Sequence, residues 1–349
     1  MIEIGFAIPG DLETPGGGYV YDRRVLELLP MCGVNAFHVP LSPSFPAPMP
    51  RDLADTERLL CRPAGSTLLI DGLAYGAMPA GVIRRLRRPI VALVHHPLCL
   101  ETGQSSERCA ALKASEMAAL ALARHVIVPS ATTAQILQSD FGVADEKITV
   151  AEPGTDPAPR AVGSSGPVQL LAAGSIIPRK GYDVLVRALD KLELPPSTWQ
   201  LTIAGAPDRS PETTSALKAE IRRSKCSSSI RLVGALDRQA LGELYCRADL
   251  FVMSSHYEGY GMVLTEALAR GLAIVTTTFA AAAERVPDGA ALKVPPGDVD
   301  ALANALHRAI ADAALRKRLA DAAWAAARAL PQWEDTARTI AGVLKNIVP

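Results

Sequence analysis

The residues best suited to chemistry lie in one run, Glu258-Gly-Tyr-Gly-Met-Val-Leu-Thr-Glu266. Two carboxylates bracket a Gly-x-Gly turn. A short apolar run ends near Met253 and a helical pattern begins near Met262, so the turn joins a strand to a helix. Gly259 and Gly261 let the backbone bend tightly and approach a ligand closely. The amides of Tyr260, Met262 and Val263, at the helix start, face outward without intrahelical partners and suit a pyrophosphate. Glu266, about one turn into the helix, can accept two hydrogen bonds from a ribose diol. Phosphate would repel Glu258, which leaves sugar hydroxyls as its better target. Singly, each glutamate reads as an ordinary solvent-facing or helical acid. The pair around the turn is what favours function.

A second run, Gly174-Ser-Ile-Ile-Pro-Arg-Lys-Gly-Tyr-Asp183, follows another strand. Arg179 and Lys180 can neutralise a leaving diphosphate. A charge pair at 4 Å contributes about 4 kcal/mol at an effective dielectric of 20, before desolvation. Tenfold in rate takes only about 1.4 kcal/mol. Two aimed cations can therefore do the work of a divalent metal, although a solvated basic turn explains Arg-Lys-Gly equally well in isolation. A third run, Pro15-Gly-Gly-Gly-Tyr19, offers Gly16, Gly17 and Gly18 for close approach to a phosphate or sugar. Its spacing is not that of a dinucleotide fingerprint, and a plain flexible loop is the alternative. His256-x-Glu258 is too sparse for a metal site. No metal and no cofactor is expected.

These runs need a frame. Short β-branched segments, from Glu3–Ile8 to Ile148–Ala151, alternate with Ala/Leu/Arg-rich ones in the first half. The alternation stops in Glu152-Pro-Gly-Thr-Asp-Pro-Ala-Pro-Arg160, a Pro-rich linker, and restarts at Val168. Strand–helix alternation predicts two doubly wound α/β domains of Rossmann-like type, residues 1–160 and 161–330, with ligands held in a cleft beyond the C-terminal strand ends. A last amphipathic helix is predicted over residues 331–349. Lysine plus arginine and aspartate plus glutamate each number 36, a balance that argues against a nucleic-acid partner. The six cysteines show no C-x-x-C spacing and read as reduced thiols. No apolar run approaches the roughly 20 residues that span a bilayer. The expected location is cytoplasmic, with contact at the inner membrane face open to the basic cluster Ile83-Arg-Arg-Leu-Arg-Arg-Pro89. A solvated helix end is the plainer reading of that cluster.

Taken together, the glycine loop, Arg179-Lys180-Gly181, Asp249-Leu-Phe-Val-Met-Ser-Ser255, the two glutamates and Pro295-Pro-Gly-Asp298 resemble the retaining glycosyltransferases of family 4, glycosyl transferases group 1. The resemblance implies the GT-B fold, with the last helix crossing back onto the first domain. That first domain would serve the acceptor and the second the donor. It implies a hexosyltransferase that uses a nucleotide-diphosphate sugar with retention and without metal. Acceptors would be a sugar, a lipid-linked group or a small molecule. In this family pattern Glu258 contacts the transferred sugar, Glu266 the ribose, Arg179 and Lys180 the diphosphate, and Gly16–Gly18 approach it from the other domain. A histidine after the fourth strand faces the donor sugar. Strand phase favours His95 over His96, although a histidine at a strand end is more often structural. Leu236 would lie near the base. The chain departs from the pattern at Pro153-Gly154, where Asn-Gly is usual, and at Ala280-Ala-Ala-Ala-Glu284, where Gly-Gly-x-x-Glu is usual. A sugar-nucleotide epimerase would be expected to carry further paired acids, a phosphorylase a pyridoxal lysine and a longer chain. A non-catalytic nucleotide-sugar-binding subunit would be expected to have lost Glu258, Glu266 or the basic pair.

Overall fold

The computed structural model describes residues 2–61, 67–278 and 281–347. In chain order the first part runs β1 (Ile2–Pro9), α1 (Gly17–Leu28), β2 (Val34–Leu41), α2 (Pro50–Leu60), β3 (Thr67–Asp71), α3 (Gly72–Tyr75), α4 (Ala80–Arg85), β4 (Ile90–Leu93), α5 (Ser106–Leu120), β5 (His125–Val128), α6 (Ala131–Phe141) and β6 (Ile148–Val150). The second part runs β7 (Val168–Ala173), α7 (Tyr182–Asp190), β8 (Trp199–Ala204), α8 (Pro211–Arg223), β9 (Ile230–Gly234), α9 (Arg238–Arg247), β10 (Leu250–Met253) and α10 (Met262–Ala269). It continues with β11 (Ala273–Thr277), α11 (Ala281–Arg285), β12 (Ala291–Val294), α12 (Val299–Ala311) and α13 (Ala313–Ala326), before the last helix, α14 (Trp333–Ile347).

Each part forms one parallel six-stranded sheet, in the orders β2-β1-β3-β4-β5-β6 and β12-β11-β10-β7-β8-β9. Helices cover both faces, so central strands such as β4 and β10 are buried along their whole length, and they read as apolar runs rather than alternating ones. In the first sheet the chain steps outward from β1 to β2, then returns to β3 on the other side. In the second, β7, β8 and β9 extend one way and β10, β11 and β12 the other. The strand order thus reverses between β1 and β3 and between β7 and β10. Loops leaving the C-terminal ends of those neighbours diverge and leave a crevice where ligands bind.

Two compact units result: residues 2–154 with 331–347, and Thr155–Leu330. The Pro-rich linker is divided between them. Glu152 stays with the first unit, its carbonyl accepting from Thr336 Oγ1 at 2.6 Å. Asp156 is already tied to Arg238 at 2.6 Å, and the Ala161 amide donates to the Arg270 carbonyl at 2.9 Å. The second unit therefore starts at Thr155 instead of residue 161. In the first unit α14 is anchored by Trp333, which packs edge-on to Tyr21 at 5.8 Å and lies under the Arg24 guanidinium at 5.5 Å. Tyr21 in turn donates to the Ala151 carbonyl at 2.8 Å.

Candidate active site

The reversal between β7 and β10 brings Arg179 and Lys180, in the turn after β7, against the loop after β10. Glu258 sits between them: its Oε2 accepts from Arg179 at 2.9 Å and its Oε1 from Lys180 at 2.5 Å and Ser255 at 2.8 Å. The loops are also joined through the backbone. His256 N donates to Arg179 O at 2.8 Å and Ser254 Oγ to Lys180 O at 3.0 Å, while Thr277 Oγ1, at the end of β11, holds Ser255 O at 2.7 Å. This proximity requires Gly181, which takes φ +60° and where a Cβ would fall 2.4 Å from the Ser254 carbonyl oxygen. Burial alone would raise the Glu258 pKa. The charges of Lys180 and Arg179, with hydrogen bonds from Lys180 and Ser255, outweigh it and hold the carboxyl down at about 2. The trio keeps a surplus of one positive charge. The separate targets read from the sequence, sugar for Glu258 and diphosphate for the cations, are here one ion-paired cluster, because charges this buried need partners.

Glu266 lies on α10, which opens immediately after the Gly259–Gly261 turn. Its Oε2 accepts from Tyr245 Oη at 2.9 Å, and Arg270 stacks over the Tyr245 ring at 4.5 Å. Burial raises the Glu266 carboxyl, against the Tyr245 hydrogen bond and the Arg270 charge. Tyr260, Met262, Val263 and Leu236 pack into the same apolar cluster as Tyr245.

In the first unit, Gly17 and Gly18 are the first turn of α1 rather than free loop, with Gly16 just before it. Of the three glycines, Gly18 is the one that lies against His95. A Cβ on Gly18 would come within 3.1 Å of His95 Cδ2. His95 Nε2 lies 3.0 Å from Asp22 Oδ1 and 3.4 Å from Asp71 Oδ2. Among the described residues these are the one group of three ligand-type side chains with atoms within 4.8 Å of one another. Asp71 Oδ1 is committed to the Leu73 amide as the cap of α3, and one ring nitrogen faces both acids. The three side chains thus meet at His95 Nε2, within hydrogen-bonding or near-hydrogen-bonding distance. His96 instead faces Glu101 at 3.4 Å. In the basic cluster, Arg85 is bound bidentately by Glu57 at 2.6 and 2.7 Å. Ala280, the start of the atypical alanine loop, lies outside the described residues. No described helix is long and apolar enough to cross a membrane.

Sequence reasoning missed Asp22, Asp71, Tyr245 and Ser255. Asp22 left a trace: it falls beside Tyr21 and Val25 on the buried stripe of α1, where an unpaired acid is costly. Asp71 ends an apolar strand just before Gly72, a helix-cap position. Ser255 closes the Asp249–Ser255 run without being singled out as a site residue, and Tyr245 carried no local signal.

Two family models match adjacent stretches: Glycosyltransferase Family 4 over residues 37–159 and Glycosyl transferases group 1 over residues 158–325. A glycogen synthase of Mycobacterium tuberculosis is 34% identical over 194 residues, 52% of this chain and 44% of that protein. A D-inositol 3-phosphate glycosyltransferase of Nocardioides sp. is 33% identical over 189 residues, 51% of this chain and 41% of that protein. The chain thus spans less than half the length of these relatives. Among solved structures, a sucrose-phosphate synthase from Thermosynechococcus elongatus superposes with TM-score 0.84 over 99% of both chains at 21% identity. An Anabaena protein solved with UDP-glucose superposes with TM-score 0.79 at 19% identity, over 99% of this chain and all of its own. These likenesses show the GT-B fold. With two adjoining models matched from residue 37 to 325, the chain belongs to the glycosyl transferases group 1, within glycosyltransferase family 4.

Proposed function

We propose that this protein is a retaining, metal-independent hexosyltransferase that moves a sugar from a nucleotide-diphosphate sugar to an acceptor. The observation that carries this reading is the Arg179–Glu258–Lys180 trio. A diphosphate arriving there meets two cations and a net positive charge. As it takes over those cations, Glu258 is released to accept from hydroxyls of the donor sugar. Glu266 receives the ribose diol, and the α10 amides face the diphosphate. Leu236 lies toward the base, and His95 and the Gly16–Gly18 turn keep the donor-facing roles that the resemblance implies. The relatives' names, which include glycogen synthase and an inositol-phosphate glycosyltransferase, support sugar transfer. A neighbour's complex with UDP-glucose supports a nucleotide-sugar donor.

In the proposed step the bond from the anomeric carbon to the leaving phosphate oxygen breaks. The acceptor hydroxyl bonds to that carbon from the same face, and its proton passes to the departing phosphate oxygen. The protein contributes orientation and charge stabilisation. The two cations supply the positive charge that a metal would otherwise bring, so turnover should survive excess EDTA. The acceptor is of sugar, lipid-linked or small-molecule type. Salt-sensitive binding to anionic liposomes would favour a lipid-linked one reached through the Arg84–Arg88 cluster.

The deciding experiment begins with a thermal-shift screen of UDP-, GDP- and ADP-sugars. A donor at 100 times its dissociation constant stabilises by roughly 2.7 kcal/mol. Transfer from the selected donor is then followed with Glu258→Ala and Lys180→Ala. Normal turnover in both variants would refute the site, and an inverted product would refute retention. Donor binding without any transfer would favour a binding subunit.

A further inference from the structure

Two buried carboxylates converge on a single ring nitrogen in the first unit, and neither belongs to the sequence motifs. Asp22, on α1, is 1% exposed, and Asp71, at the end of β3, is 5% exposed. They are brought together because the strand order reverses between β1 and β3, so the helix after one and the end of the other share the crevice with the loop after β4. Asp22 Oδ2 is buried with no hydrogen-bond partner, which leaves Oδ1 as the oxygen that engages His95. Asp71 reaches the same nitrogen with Oδ2 while its Oδ1 is fixed by the Leu73 amide. Tyr21, edge-on to the ring at 5.1 Å, and the close backbone of Gly18 complete the clamp. Of the groups that titrate, Asp22 and Tyr21 from α1 and Asp71 from β3 are those packed against the ring. His95 Nδ1 has no hydrogen-bond partner among the described residues, and the side chain remains 20% exposed.

We propose that Asp22 and Asp71 are positioning residues that clamp His95 Nε2 between two carboxylates and so keep the ring a doubly protonated cation, with Nδ1–H presented as a fixed donor to an oxygen of the bound substrate. A neutral imidazole held in this way would offer only a lone pair at Nδ1. The clamp therefore decides whether His95 donates or accepts. Burial opposes the ring's charge, but the Asp22 and Asp71 carboxylates overcome it and raise the His95 pKa. Burial likewise raises Asp22, helped by Asp71 and opposed by His95. The substrate-facing half of this proposal rests on the sugar-transfer reading; the protonation state does not.

Histidine-selective 15N NMR across pH tests it, with His95→Gln assigning the signal among the six histidines. In the wild type, His95 should stay doubly protonated well beyond the ordinary 6.5, with a midpoint of about 10. Asp22→Asn should bring that midpoint down by at least about one unit. Asp71→Asn should lower it as well while keeping a capping oxygen for α3, with thermal unfolding of both variants checking the fold. The basic limb of the transfer pH profile should move with the NMR midpoint, a shift that a merely structural role would not produce. A wild-type midpoint near 6.5, a midpoint unmoved by Asp22→Asn, or a ring whose titration appears only after EDTA treatment would overturn the proposal. Absence of transfer with every donor, alongside the expected titration, would instead count against the proposed function.

Discussion

Glu258 links the chemistry of the second unit to its stability. Its carboxyl is held at about 2, below the ordinary 4.5. The stability that this provides is therefore complete above about pH 4.5 and is lost as pH falls toward 2. Glu258→Gln should flatten the decline in urea stability between pH 5 and 2. At neutral pH the same variant leaves two cations without their carboxylate, and breaking a buried pair costs about 3–5 kcal/mol. A nucleoside diphosphate should recover part of that loss in the variant, read as a larger thermal shift than in the wild type. Tyr245→Phe removes the phenol that donates to Glu266. A hydrogen bond to a charged group contributes about 1.5–3 kcal/mol, so donor KM should rise tenfold or more with a smaller change in kcat.

Elements set how closely these side chains meet. The turn between β7 and α7 reaches the loop after β10 only because Gly181 has no side chain. Gly181→Ala meets both an unfavourable left-handed φ, about 1–3 kcal/mol, and the Ser254 carbonyl 2.4 Å away. It should lower stability and separate Lys180 from Glu258, with turnover falling further than a Lys180→Arg exchange would cause. Strand and helix identities were legible because buried parallel strands are apolar runs and helices carry a 3.6-residue stripe. Element ends were less legible. Gly17 and Gly18 read as loop in the sequence yet form the first turn of α1, because glycine carries little helical preference of its own.

At the scale of the whole chain, the two units should respond separately to damage. Trp333 is 4% exposed and is shared among Tyr21, Arg24 and α14. Replacing a buried Trp by Ala costs about 3–5 kcal/mol. Trp333→Ala should therefore lower the unfolding midpoint of the first unit in urea, followed by near-UV signals and hydrogen exchange, and leave protection of the β7–β12 sheet unchanged. The last helix belongs to the first unit although it follows the second in sequence, so a truncation after Leu330 should show the same asymmetry more strongly.

The sequence by itself determined the alternation of strands and helices, the two doubly wound sheets, the family and the residues of the Arg179–Lys180 and Glu258–Glu266 motifs. Each of these is written in local period or spacing. Tertiary structure alone decided that Glu258 would be clasped by both cations, that Tyr245 would hold Glu266, and that Asp22 and Asp71 would converge on His95. Those partners come from different strands, and a side chain's electrostatic surroundings are fixed by which strand ends the sheet order makes neighbours, a non-local outcome that no single stretch of sequence encodes.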